Sequence, residues 1–472
     1  MNIIGRYDNW LLNIIDLICY GLTYPFLYFF SGFFSTVYDV PHLRQQSLIH
    51  RLTRFLWGLF FCSWLLVTLP LYITGQVYWT LLYSCFAARD FIRVDFKAKE
   101  AADQGPQDDE SFGFLSANLL LGFDALGTFQ NMKHVGERHS EFRRRFAQLG
   151  SQKPWQNLAA LSSSGSKADS IASEFMRVDF IMFQEVWDRF YAGSMVQVLK
   201  DQGFQCFIMD ISRQSWSGNY CTGSSGLMLA SRYPILEAKF IPYRNKRSWQ
   251  KFISYGALLA KVDLGRKTLN GRREVGYLGD LHTMAYQEKE NQIEQALTLT
   301  QDEFRKFREK HTTENEEVVF ATLGGDFNFD NMSPGDAPTQ KHPLFREYLD
   351  VGAQAPGVDR DWTIGTEWRQ LRIHDEEVST PEDFRSILVD DVLRRYYILD
   401  ADVEVQTTEL MVCDPRPDSE GQIKAEVFGG KRRIDRILYD PKCPTQPTGF
   451  GFYTTLTGIT DHVPVSLTLS RT

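Results

Sequence analysis

The sequence predicts an α+β protein, a four-layer α/β/β/α sandwich of two packed sheets with outer helices, preceded by an N-terminal hydrophobic membrane hairpin. Three observations lead there. Two long uncharged runs stand near the N-terminus, many short apolar stretches with polar residues at their ends follow, and a few segments of helical period lie between those stretches. Hydrophobic residues make up 43% and charged residues 23% of the 472, which excludes a mainly disordered chain, a collagen and a many-spanning transporter. Residues 1–100 carry 8 Lys+Arg against 6 Asp+Glu, and the rest carry 43 against 53, so a weakly basic apolar head precedes an acidic body. Nucleic acid is not expected as a partner, because its phosphates are normally met by many Lys and Arg.

In the head, residues 17–38 and 55–88 are uncharged runs of 22 and 34 residues, against the roughly 20 needed to span a bilayer. Arg44, Arg51 and Arg54 lie between them, and Arg89, Arg93, Lys97 and Lys99 follow. Both basic flanks prefer the cytoplasm, so a re-entrant or interfacial hairpin with a cytosolic body fits better than two ordinary spans. Pro25 and Pro70, each inside its run, would kink the helices. Residues 1–96 are therefore read as the hairpin, with segments at about 10–38 and 55–88. Residues 97–111 read as a juxtamembrane linker, and residues 112–472 as a catalytic domain with a flexible Ser-rich insertion at 151–174. Arg44, Arg51 and Arg54 sit where anionic phospholipid headgroups would be, each contributing about 1 kcal/mol near such a surface. The seven Cys are scattered without a C-x-x-C, which indicates neither a disulfide framework nor a zinc site. Cys19, Cys62 and Cys85 accompany the apolar runs, as lipid-facing or S-acylated residues.

In the body, residues 112–121 and 177–186 read as buried strands, and 225–229, 256–262, 275–281, 318–323, 433–439 and 463–469 repeat the pattern. Residues 287–308 are helical in period, with Ile293, Ala296, Leu297 and Leu299 on one face. The strand ends deliver Asn118, Glu185, His282, Asp326, Asn328, Asp435, Asp461 and His462. Each alone has a structural explanation. Together they are what a metal-dependent phosphodiesterase needs: ligands for a divalent ion, a base for water and donors for charge developing on phosphate.

The segments SAN at 116–118, QEV at 184–186, LH at 281–282, GDFN at 325–328, RID at 433–435 and TDH at 460–462 occur in one order. In that order they resemble the exonuclease/endonuclease/phosphatase superfamily. SRYPI at 231–235, GDFNFDN at 325–331, STPEDF at 379–384 and TGITDHVPV at 457–465 are similar to the membrane-associated neutral sphingomyelinases, and the short 151–174 insertion to their compact, mitochondria-associated type. The resemblance implies hydrolysis of sphingomyelin to ceramide and phosphocholine with Mg²⁺, or Mn²⁺ as the alternative ion. It also implies a cytosol-facing domain on a mitochondria-associated, endoplasmic reticulum, Golgi or plasma membrane. In that scheme Glu185 is the ligand for a hard cation, and Asn118 orients it or shares the ion's shell. His462 is the general base, its near-neutral imidazole suiting the task, and Asp435 holds its tautomer. Asp461 lies on the metal side, Asp326 positions the water, and Asn328 and His282 meet phosphate oxygens. Four positions depart from the family pattern: Tyr255 and Gln250 stand where a Lys–Asp pair is expected, Ser224 where an Asn is, and Met284 where a second His is. These leave room for two other readings, a membrane-bound phosphatase or phospholipase-C-like enzyme on another phospholipid, and a catalytically weak membrane scaffold.

Overall fold

The computed structural model describes residues 1–37, 48–86, 88–96, 111–148, 177–212, 224–244, 246, 250–251, 253–284, 291–402, 414–415 and 417–471. Arg44, all but the last residue of the linker and the 151–174 insertion lie outside the described residues.

Eight strands form one sheet in the order β1 (Asn2–Ile4), β2 (Ile92–Asp95), β5 (Cys206–Met209), β6 (Met228–Ser231), β4 (Phe180–Val186), β3 (Ser111–Leu121), β16 (Val465–Arg471) and β15 (Thr445–Phe452). Six form a second, in the order β11 (Leu349–Asp350), β14 (Asp435–Tyr439), β10 (Glu316–Asp326), β9 (Arg273–His282), β8 (Gly256–Lys267) and β7 (Ile235–Pro242). A small hairpin of β12 (Ala353–Ala355) and β13 (Val358–Asp359) stands apart. The central strands read as unbroken apolar runs because both of their faces are covered. On β3, Phe112 and Phe114 enter the core between the sheets while Leu115 and Ala117 face outward, and β4 repeats this with Phe180 and Met182 against Ile181 and Phe183. Helices α4 (Val135–Phe146) and α5 (Arg189–Asp201) cover the first sheet's outer face with Phe142, Phe146, Met195 and Leu199. Helix α6 (Gln292–His311) covers the second with Ile293, Ala296, Leu297, Phe304 and Phe307. The result is the four-layer order read from the sequence.

Phe320 is the centre of the inter-sheet core. Its ring lies 5.1, 5.0 and 5.4 Å from those of Phe112, Phe114 and Phe180. It also fills the space beside Gly276, where a Cβ would sit 2.2 Å from Phe320 Cζ. Phe320→Ala is expected to cost about 3–5 kcal/mol, read as a lower denaturation midpoint in urea with little change in slope.

The N-terminal strand β1 pairs antiparallel with β2 at the edge of the first sheet, so both ends of the hydrophobic hairpin are stitched to the sandwich. Between them run α1 (Trp10–Val37) and α2 (Leu48–Cys85), both long and apolar enough to cross a membrane. Helix α2 starts seven residues before the expected segment. Arg51 is exposed and Arg54 half-buried on it, and neither interrupts the helix, Arg54 donating its Nε–H to the carbonyl of Thr36 at the end of α1. Helix α1 packs along the sandwich. Tyr20 donates to Asp188 (3.3 Å), and on the short helix α3 (Asp124–Phe129) the backbone N–H of Ala125 donates to Ser31 (2.8 Å) and Thr128 bonds Ser35 (3.0 Å). A buried ion cluster locks this contact: Arg6 lies 3.0 Å from Asp210, and Arg189 lies 3.0 Å from Asp16 and 2.5 Å from Asp210.

Candidate active site

Two parallel strand pairs, β3 with β4 and β9 with β10, bring their C-terminal ends to one side of the sandwich. The first pair delivers Asn118 and Glu185, the second His282 and Asp326, which stand opposite each other in register, and β14 sets Asp435 beside Asp326. Glu185 is in the left-handed region at φ 59°, and Asn328 at φ 52°, a costly conformation that the surroundings must hold. Gly226 provides that support for Glu185, since a Cβ there would lie 2.9 Å from the Glu185 Cα. Ser224 Oγ in turn accepts the N–H of Gly226 (3.2 Å).

Asn118 donates from one amide nitrogen to two carboxylates, Glu185 Oε1 (2.9 Å) and Asp326 Oδ2 (3.0 Å). His282 Nε2 stands 3.7 and 3.6 Å from those same oxygens. Ligand atoms of Glu185, His282 and Asp326 all lie within 4.8 Å of one another. The other Glu185 oxygen accepts the indole N–H of Trp187 (3.3 Å). Asn328 donates its backbone N–H to Asp326 Oδ1 (2.8 Å) and its amide to the carbonyl of Thr283 (3.0 Å). His462 bonds Asp435 through Nδ1 (2.8 Å) and places Nε2 3.9 Å from Asp326. Thr460 ties this loop to the carbonyl of Asn118 (2.7 Å), and Thr366 accepts the backbone N–H of Asp435 (3.1 Å). Arg138, buried, donates to the carbonyls of Leu120 (2.8 Å) and Ile459 (3.0 Å), which brace the two chains carrying Asn118 and Asp461.

Burial and the like charge of Asp461 raise the Glu185 carboxyl above its ordinary range. Burial, with Asp435 and Glu185 nearby, raises Asp326 well above its own, against the pull of His462. His282 is pushed down to about 3 by burial and by His462, so it is neutral. Burial alone would lower His462, but Asp435, with Asp326 and Asp461, holds it well above the usual imidazole value. Carboxylates crowded this closely in a dry setting favour a bound cation. Asp461 Oδ1 and Asp435 Oδ1 are buried without a hydrogen-bond partner among the described residues. Oxygen donors with one neutral imidazole fit a divalent cation of the Mg²⁺ or Mn²⁺ type.

The structure brings Asn118, Glu185, His282, Asp326, Asn328, Asp435 and His462 together. Arg51 and Arg54 lie apart from them, at the α1–α2 end of the hairpin. Two contributors were not singled out in the sequence. Trp187 was signalled only by its place directly after QEV, and Thr366 by nothing local. Tyr255 is buried, with its ring edge-on to His282 at 5.0 Å and to Trp187 at 6.4 Å, so an aromatic wall stands where a lysine was expected. Met284 is a core residue beneath it.

Residues 149–462 match the model of the Endonuclease/Exonuclease/phosphatase family, a span that carries every residue of the cluster except Asn118. The chain belongs to this family. It is 34% identical to Sphingomyelin phosphodiesterase 3 of Mus musculus over 304 residues, 62% of this chain. That match spans 45% of the mouse protein, so this chain covers less than half the length of that relative. It is 25% identical to Sphingomyelin phosphodiesterase 5 of Danio rerio over 551 aligned positions, 98% of this chain and 97% of that protein. The crystal structure of SmcL aligns over 76% of this chain at 12% identity with a TM-score of 0.41, a likeness too loose to add to the family assignment.

Proposed function

We propose that this chain is a Mg²⁺-dependent phosphodiesterase that hydrolyses sphingomyelin to ceramide and phosphocholine at a membrane surface. The observation that carries the reading is the meeting of a carboxylate pair able to hold a cation, Glu185 and Asp326 beside neutral His282, with a carboxylate-oriented imidazole, His462 on Asp435. In its neutral form His462 keeps its one proton on Nδ1, donated to Asp435, and carries the lone pair on Nε2, on the side of Asp326; the carboxylates that raise its pKa stabilise the imidazolium it becomes. Through Nε2 it takes a proton from the water that attacks phosphorus. The bond from phosphorus to the ceramide oxygen breaks, that oxygen leaves with a proton drawn from solvent, to which His462 returns the one it took, and phosphocholine keeps the oxygen of the attacking water. Asp326 orients the water, while Asn328 and neutral His282 donate to phosphate oxygens as charge builds on them. A divalent cation held by Glu185, with Asn118, Asp326 and Asp461 around it, would supply neutralisation of the phosphate.

The names of the relatives support sphingomyelin as substrate, and so does the placement of the hairpin. Tyr20 of α1 bonds Asp188, three residues after Glu185, so the apolar helices lie beside the site. Because α1 is packed against the catalytic domain, the hairpin is proposed to lie within the membrane interface rather than to span it. The exposed apolar surface of α2, with Trp57, Leu66, Val67, Ile73 and Tyr78, would then meet lipid, with the body in the cytosol. Arg51 and Arg54 would attract anionic phospholipids. Half-buried Trp187 is a face for the quaternary ammonium of the headgroup.

Headgroup release from vesicles of sphingomyelin, phosphatidylcholine, lysophosphatidylcholine or a phosphoinositide tests the reading. At least tenfold preference for sphingomyelin is expected. Release of inorganic phosphate from the phosphoinositide would make the chain a lipid phosphatase, faster headgroup release from one of the other lipids a phospholipase-C-like enzyme, and no release from any a scaffold. Trp187→Phe keeps an aromatic ring and removes the N–H that holds Glu185. It is expected to weaken Mn²⁺ binding, followed by electron paramagnetic resonance, about tenfold at unchanged melting temperature.

A further inference from the structure

A cleft of about 750 Å³ opens beneath the β12–β13 hairpin, against the edge of the second sheet. Arg436, Arg360, Arg346 and Lys341 line it, together with the rings of Trp362 and Tyr439. Asp350 is the one carboxylate on its wall among the described residues, and it is already held by Arg433 at 2.9 Å. The cleft is separate from the candidate active site. Asp435 and Arg436 are successive residues of β14, so their side chains leave opposite faces of the strand.

Arg436 is the unusual member. It is 1% exposed and lies within a cage of rings, 4.4 Å from Phe329, 5.5 Å from Phe345 and 5.8 Å from Phe327. One Nη donates to the carbonyl of Phe329 (3.1 Å), but among the described residues its Nε has no hydrogen-bond partner and its nearest carboxylate, Asp350, is 3.9 Å away. A buried guanidinium left this far from full pairing is costly unless an anion completes it. Burial and the neighbouring Arg433 depress its pKa, as expected for a cation short of counter-charge. At the mouth, Lys341 and Arg346 are exposed and have no carboxylate partner among the described residues.

We propose that this cleft binds a soluble organic phosphate of nucleotide size, its phosphates on the guanidinium groups and its flat part against Trp362 and Tyr439. The volume suits such a ligand, and Arg provides the planar fork that phosphate favours. The strand order argues for a soluble molecule over a lipid headgroup. Gln446 and Pro447 of β15 border the cleft, and six strand spacings separate β15 from β2, where the membrane hairpin is attached. That is about 29 Å at about 4.8 Å per spacing.

The test is titration calorimetry on the full chain in detergent with EDTA present, using ATP, AMP, adenosine and inorganic phosphate in turn. One saturable site for ATP is expected, with AMP weaker, inorganic phosphate weaker again and adenosine silent. The double variant Arg346→Glu, Arg360→Glu, which leaves the ring cage intact, is expected to weaken ATP binding at least tenfold. Glu185→Gln is expected to leave it unchanged. Absence of saturable ATP binding, indifference to the double variant, or loss in Glu185→Gln would each overturn the proposal. Inorganic phosphate binding as tightly as ATP would overturn the role of the rings. Binding of anionic vesicles through Arg346 and Arg360 without ATP binding would overturn the soluble source.

Discussion

Replacing His462 with alanine is expected to lower phosphocholine release from sphingomyelin vesicles by about 10³–10⁴-fold, while membrane association and melting temperature stay close to the parent's. The expectation rests on geometry. The imidazole is buried, its Nδ1 is committed to Asp435 at 2.8 Å, and the opposite nitrogen faces Asp326 at 3.9 Å. That leaves Nε2 to accept a proton from water. The hairpin is held elsewhere, by β1–β2 pairing and by the ion cluster of Arg6, Asp16, Arg189 and Asp210. Its attachment therefore does not pass through His462. Added imidazole distinguishes a base from a structural residue. Partial recovery of His462→Ala in imidazole buffer is expected if the lost group is the base, and a merely structural loss would not respond.

The second large effect is at Glu185. Glu185→Gln keeps the shape and removes the charge, and it is expected to lower activity at millimolar Mg²⁺ by about 10²-fold or more and cation affinity by a similar factor. Its effect on stability has the opposite sign. A carboxyl whose pKa is higher in the folded than in the unfolded chain binds more protons when folded, so stability falls as pH rises from the unfolded value through the folded one. Burial and Asp461 put Glu185 in that class. At neutral pH in EDTA the Gln variant is therefore expected to melt at or above the parent. Mg²⁺ is expected to raise the parent's melting temperature and not the variant's. A variant that melts well below the parent in EDTA would show that Glu185 serves the fold instead.

Much of this site was legible because phosphoryl chemistry draws on a small set of side chains and the fold presents them at strand ends. Residues 112–121 and 177–186 were readable as strands since both of their faces are buried, and each ended in a polar residue with no packing reason to be there. The helical face of Ile293, Ala296 and Leu297 was equally plain, and α6 runs over Gln292–His311, residues 287–290 of the expected segment lying outside the described residues. What the sequence concealed depends on distant contacts. Asp16 marked the edge of an uncharged run, yet it is buried against Arg189 and accepts the indole N–H of Trp79 at 2.8 Å. Strand β1 is three residues long and has no alternation to read. Trp187 and Thr366 act on Glu185 and Asp435 through bonds that appear only once the strands are assembled.

Hydrolysis in H₂¹⁸O tests the central claim most directly, because it reports which bond breaks, what attacks and whether a cation is needed. With full-length protein on sphingomyelin vesicles and Mg²⁺, the expected products are phosphocholine carrying one ¹⁸O per turnover and ceramide carrying none, with no turnover in EDTA. Release of free choline with ceramide phosphate, label in ceramide, or an undiminished rate in EDTA would contradict it.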